Sequence, residues 1–206
     1  MSGVTKKTRI FKEILQWAQA ILLAVVIALL LRGFVFEPVY VDGESMETTL
    51  STAQRLIVYK LGYYFNAPRK GDIVVLQYKE GITKMLPFMD AVPIFKKAIP
   101  SISEVDYIKR VIAVPGDELD IHDGYVYING IRQEEPYLKE KGVTYNQSLE
   151  LPLEIPEGKA LVLGDNRLNS TDSRQIGLIE YNRIKGKAVL RIWPLKVFGG
   201  LYSNLE

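Results

Sequence analysis

The chain has 206 residues, with 26 lysines and arginines against 24 aspartates and glutamates. That is enough for one good-sized core, or one core with a small appended lobe. The net charge of +2 is spread along the chain and not gathered into a basic stripe with interleaved aromatics, which argues against nucleic-acid binding. There is no cysteine and a single histidine, His122, so disulfides, thiolate metal sites and cysteine nucleophiles are excluded and a histidine-rich metal centre is disfavoured.

Residues 1–13 carry Lys6, Lys7, Arg9 and Lys12 against a lone Glu13. The run from Ile14 to Leu31 is then interrupted only by Gln16 and Gln19. Its length and apolarity predict a membrane span at 14–32, with the basic N-terminus cytoplasmic. A cleavable signal peptide would need small residues at a cleavage site after the apolar run, and Arg32-Gly-Phe-Val-Phe-Glu-Pro38 offers no such site. A retained anchor is therefore favoured, with residues 33–206 outside the cytoplasm.

From Phe34 onward, short runs rich in Val, Ile, Tyr and Phe alternate with Gly, Pro and Asp, a β signature. Strands are predicted at Val35–Val41, Arg55–Lys60, Asp72–Gln77, Tyr107–Val114, Glu118–His122, Tyr125–Ile128, Ala160–Leu163 and Gly186–Ile192. His122-Asp-Gly-Tyr and Ile128-Asn-Gly-Ile read as tight hairpin turns, which makes His122 a turn residue and not a catalytic one. The stretch from about Ile131 to Glu157 reads as an exposed excursion. The apolar segment Lys84–Lys97, broken by Pro87 and Pro93, either packs on the core or dips into a membrane surface. Ile192–Phe198 suits either a core or an interfacial aromatic patch.

Within Val105–Asp117, Lys109 stands in a run that favours burial. As a strand, the run sets Tyr107, Lys109 and Val111 on one face and Ile108, Arg110 and Ile112 on the other. Lysine is almost never buried without a reason, and desolvation lowers its pKa towards that of a base active near neutrality. A serine hydroxyl needs such a base to become a nucleophile. Ser45 follows Gly43 at a predicted strand end, where backbone N–H groups are open to approach. The polar stretch Gly164–Gly177 follows a predicted core strand, with Asp and Arg in close alternation. It reads as an ordered network in which Ser170 or Ser173 could orient the lysine.

Together these stretches resemble the bacterial type I signal peptidases, membrane-anchored Ser/Lys proteases, and in length and in the glycine at position 43 their shorter Gram-positive form. The resemblance is carried by Glu37-Pro38 leading to Gly43-x-Ser45-Met46, by Arg69–Val75, by Tyr107-Ile-Lys-Arg-Val111 with Pro115-Gly116-Asp117, and by Gly164-Asp-Asn-Arg167 with Ser170-x-Asp172-Ser173-Arg174. It implies Ser45 as nucleophile, Lys109 as general base and Ser170 as the hydroxyl that orients the lysine. It also implies Asp172 and Arg174 as a structural ion pair, and Val41, Tyr107 and Ile108 as lining of the substrate cleft. Some family members carry at Gly43 a serine that helps hold the oxyanion. Here backbone N–H groups would serve, Ser45 N–H foremost. Thr48 stands where proline is usual.

The fold expected is mainly β: an antiparallel catalytic sheet with a smaller β excursion at about 118–158, preceded by one transmembrane helix. The expected partners are signal peptides of preproteins and membrane lipid, with no nucleic acid, cofactor or metal. At about 3.3 Å per residue, the segment from Arg32 places Ser45 no more than roughly 43 Å from the membrane surface. Self-cleaving repressors also use a Ser/Lys pair, but with a DNA-binding helix pair in place of the apolar run. A non-catalytic anchored scaffold would leave Ser45, Lys109 and the polar cluster unexplained.

Overall fold

A computed structural model describes residues 2–79 and 105–202. The Lys84–Lys97 segment lies outside the described residues.

Helix α1 runs from Ser2 to Leu30 and passes into a π-helical turn at Leu31–Val35. It starts well before the predicted span, because nothing in the polar N-terminal residues breaks a helix. The stretch Ile10–Val35 has a mean hydropathy of 2.4 and none of it is buried against the rest of the chain. A helix apolar on all sides and packed on nothing has the length and character of one that crosses a bilayer.

The remainder is built on antiparallel sheets. Strands β1 (Phe36–Tyr40), β2 (Arg55–Tyr59), β3 (Ile73–Lys79), β4 (Val105–Ala113), β9 (Lys159–Leu163), β10 (Ile179–Glu180) and β11 (Ile184–Trp193) lie in the order β1-β2-β11-β3-β4-β9-β10. A short β12 (Gly199–Gly200) pairs with β11. The smaller sheet, in the order β7-β6-β5-β8, comprises β5 (Glu118–His122), β6 (Tyr125–Ile128), β7 (Ile131–Arg132) and β8 (Leu153–Glu154). Pro38 has no N–H to give, and it sits in β1 at the margin of the main sheet, where one side of the strand needs no donor.

The main sheet is buried on both faces. Val41, Met46, Leu50, Leu56, Ile73 and Ala188 form one cluster, while Val74, Leu76, Val111, Ala160, Val162 and Ile184 form another. Ile73 and Val74 fall in different clusters, as the period-2 alternation of a strand requires. A third cluster, including Ile112, Leu119, Val126, Ile155 and Leu163, joins the small sheet to the end of the large one.

Both predicted hairpin turns are present. Asp123 and Gly124 have φ of 52° and 80°, and Asn129 and Gly130 have φ of 54° and 75°, the paired positive values of turns that suit the right-handed twist of the flanking strands. His122 ends β5, exposed and stacked on Tyr127 at 3.8 Å between ring centroids. The excursion departs from expectation. It is not simply exposed: Glu135 and Thr144 are buried against Arg167 of the polar loop that follows β9, and Ile155 is buried in the apolar cluster under the small sheet. At the other end, Trp193, Leu195, Val197 and Phe198 are exposed and form no part of the core.

Candidate active site

Among the described residues of the β domain two lysines are buried, and they differ in what they face. Lys60 lies 3.1 Å from the carboxylate of Glu37, an ordinary pairing that ties the end of β2 to β1. Lys109, 3 % exposed on β4, has no carboxylate within ion-pair distance among the described residues. Its Nζ lies 2.7 Å from Ser45 Oγ and 3.0 Å from the carbonyl of Ile108. Burial lowers its pKa from the usual lysine range to about 8, against a smaller upward pull from Asp172 and Asp165. An amine so placed is neutral in about a tenth of molecules at pH 7, far more than an ordinary lysine, and in that form can accept a proton from a hydroxyl.

Ser45 stands on a turn between β1 and β2. Gly43 takes φ +103° there, a conformation costly for any residue with a side chain. Its carbonyl accepts from the Thr52 hydroxyl at 3.1 Å. Beyond Ser45, Met46 and Leu50 are buried in the same cluster as Val41, so the turn is held by apolar residues on either side of the serine.

The polar loop after β9 closes over this turn. Asn166 N–H donates to the Ser45 carbonyl at 3.0 Å, and its side-chain amide donates to the Glu44 carbonyl at 3.1 Å. Asp172 and Arg174 pair at 2.8 Å, both buried, and Asp172 also accepts from Gly164 N–H at 3.1 Å. A Cβ added at Gly164 would meet Ser170 Oγ at 2.2 Å and the Ser45 carbonyl at 2.5 Å, so close packing of loop on turn requires glycine. Ser170 Oγ is buried with no hydrogen-bond partner among the described residues, and it makes no bond to Lys109.

A cleft of about 570 Å³ opens over Ser45 and Lys109, and Val41, Gly43, Tyr107 and Ile108 lie in its wall. Tyr107 stacks on Tyr78 at 4.5 Å between centroids, and Lys109 Nζ lies 5.0 Å from the Tyr107 ring centre. Of the residues named from the sequence, Val41, Gly43, Ser45, Tyr107, Ile108 and Lys109 line this cleft, whereas Ser170, Asp172 and Arg174 lie in the buried loop and do not. Among the described residues no group of three or more His, Asp or Glu is arranged to hold a metal ion.

The profile of the family described as "Signal peptidase, peptidase S26" matches residues 14–193. The chain belongs to this signal peptidase family. It is 37 % identical over 197 residues to a signal peptidase I of Bacillus licheniformis, covering 92 % of this chain and 94 % of that protein. It is 41 % identical over 179 residues to a signal peptidase I of Leptolyngbya laminosa, covering 87 % and 79 %. A crystal structure of a signal peptidase I from Enterococcus faecalis V583 aligns with 28 % identity and a TM-score of 0.40, covering 59 % of this chain and 97 % of that one. The chain is accordingly a serine hydrolase of the signal peptidase type.

Sequence reading did not single out several residues of this peptidase that brace the Ser45 turn from outside the cleft, Thr49, Arg110 and Tyr137 lining a separate cavity. Arg110 is fully buried and grips Asp165 with two bonds, Nε to Oδ1 at 2.9 Å and Nη2 to Oδ2 at 2.7 Å, while Tyr137 lies over its guanidinium at 3.9 Å. Thr49, from the turn that bears Ser45, bonds to both members of this pair. The Thr48 hydroxyl donates to the Tyr137 carbonyl at 3.2 Å, and Lys139 pairs with Glu47 at 2.9 Å. Arg110 and Asp165 were visible as charges within the two motifs. Tyr137 and Glu135 left no signal, since they belong to a polar segment of irregular pattern.

Proposed function

We propose that the chain is a membrane-anchored endopeptidase that removes N-terminal signal peptides from exported preproteins. The observation that carries this reading is the 2.7 Å approach of a desolvated lysine amine to the hydroxyl of a serine at the floor of an open cleft. In the reaction, neutral Lys109 takes the proton of Ser45, whose oxygen attacks the scissile carbonyl. The negative oxygen is held by backbone N–H groups at the Gly43–Ser45 turn. The protonated Lys109 then gives its proton to the leaving amine, which breaks the peptide bond and leaves an acyl-serine. Lys109 next activates a water that hydrolyses the ester.

Ser170, whose buried hydroxyl has no hydrogen-bond partner among the described residues, is assigned to orient the amine of Lys109. Asp172 and Arg174 hold the loop that carries it. The substrate binds extended along 38–43 and 106–109, where backbone pairing supplies affinity. Val41, Tyr107 and Ile108 shape shallow pockets that admit small side chains of the Ala-x-Ala type and exclude larger ones. Residues 14–32 serve as the anchor, residues 1–13 remain cytoplasmic, and the domain from residue 33 works outside the cytoplasm, with its excursion at about 118–158. The apolar α1 and the two signal peptidase I relatives support that placement.

The test is cleavage of a preprotein by the detergent-solubilised full chain. Ser45→Ala and Lys109→Ala are each expected to abolish cleavage while the circular dichroism of the β domain is retained. Near-normal turnover by either variant would overturn the assignment.

A further inference from the structure

We infer that Asn166 is a positioning residue that aims the Ser45 N–H at the oxyanion by gripping the peptide groups on either side of the nucleophile. This rests on the Ser45/Lys109 reading and extends it to a residue outside the cleft wall. Two bonds carry it. The side-chain amide donates to the Glu44 carbonyl at 3.1 Å, and the backbone N–H of the same residue donates to the Ser45 carbonyl at 3.0 Å. Since a carbonyl can only accept, the amide nitrogen and not its oxygen must face Glu44.

The Glu44–Ser45 peptide is trans, the chain's cis bonds lying elsewhere. In a planar trans peptide the C=O and N–H point in opposite directions. Drawing the Glu44 carbonyl towards Asn166 therefore turns the Ser45 N–H away from Asn166. Asn166 is buried, 6 % exposed, and takes no part in lining the cleft, whereas Glu44 and Ser45 both do. The grip thus comes from behind the turn, and the Ser45 N–H faces the cleft. Among the described residues this N–H donates to no acceptor, so it is open to a ligand oxygen. A donor held in place before reaction costs no reorganisation when charge develops on the substrate, which is how an oxyanion hole stabilises the transition state. Asn169, whose side-chain amide lies 3.2 Å from the Glu44 carboxylate, steadies the same residue from the rim.

The test compares wild type, Ser45→Ala and Asn166→Leu, the last of similar volume but without the amide, in steady-state cleavage of a preprotein by the full chain. The expected result is a kcat about a hundredfold below wild type, the scale of losing one oxyanion donor. KM and the midpoint of the pH–rate profile should be unchanged, because neither peptide binding nor the base is touched. Inhibition by a peptide aldehyde, whose adduct carries the tetrahedral oxygen, should weaken by a similar factor, while binding of the cleaved signal peptide stays at the wild-type level. Should the leucine variant fail to fold, Asn166→Ala is the deciding form. A kcat within about threefold of wild type would overturn the inference. So would a parallel decline of kcat, signal-peptide binding and thermal midpoint, which marks a purely structural role. Cleavage that survives Ser45→Ala would instead overturn the dyad reading, and this inference with it.

Discussion

Arg167 and Glu135 face each other as a two-bond pair out of water, Nη1 at 3.1 Å from one carboxylate oxygen and Nη2 at 2.5 Å from the other. The pair joins the excursion to the polar loop, and Thr144, also buried, adds a hydroxyl acceptor to the same guanidinium at 2.6 Å. Arg167 Nε in turn donates to the Gly164 carbonyl at 3.1 Å, so the excursion is coupled to the loop that lies against the Ser45 turn.

Glu135→Ala should therefore be strongly destabilising. Taking one partner from a buried pair leaves an uncompensated charge and typically costs about 3–5 kcal/mol. Urea denaturation of the detergent-solubilised protein would measure it, and the loss should be smaller in the double variant Glu135→Ala, Arg167→Met, where no charge is stranded. Equal losses in the two would show that packing, and not charge, dominates at this junction.

Gly164→Ala tests how closely loop and turn meet. The added methyl falls on Ser170 Oγ and on the Ser45 carbonyl, and the second of these is backbone that cannot rotate away. A loss of about 1–3 kcal/mol is expected from overpacking, with activity falling further than stability because the displaced atoms belong to Ser45 and Ser170. Shortening Ser170 to glycine in the same chain should recover only part of the stability. Wild-type turnover by Gly164→Ala would show that the loop can withdraw from the turn without consequence.

The pH dependence follows from Lys109. Burial brings its pKa down to about 8, and only the neutral amine can accept the serine proton. Below that pH the neutral fraction falls about tenfold per unit. Turnover on the acid side should therefore rise about tenfold per pH unit and level off above pH 8. Lys109→Arg should be inactive at every pH, since a guanidinium does not deprotonate in this range. A rate that is flat between pH 5 and pH 8 would remove Lys109 from the role of base.

What could be read from the sequence was whatever is encoded locally. Asp123-Gly124 and Asn129-Gly130 announce their turns by residue chemistry, and the long strands announce themselves by alternation. Strands β7, β8, β10 and β12, of two residues each, have no room for a period and were not visible. Lys109 stood out because it was anomalous in its own segment, while Ser45, an ordinary turn serine by itself, gained weight only beside that lysine and through the resemblance. Asn166 and Glu135 were not anomalous where they stand. Their importance comes from partners 122 and 32 residues away, and only the folded chain supplies those.

That separation has a consequence for biosynthesis. The turn bearing Ser45 is made early, and the loop that grips it from behind is made 122 residues later. A nascent chain that has reached only the middle of its length carries the serine with no loop to hold its peptide groups. The enzyme is therefore assembled only when its last third has been translated and folded back. Until then, an unfinished copy carries Ser45 without the loop that bonds to its flanking carbonyls.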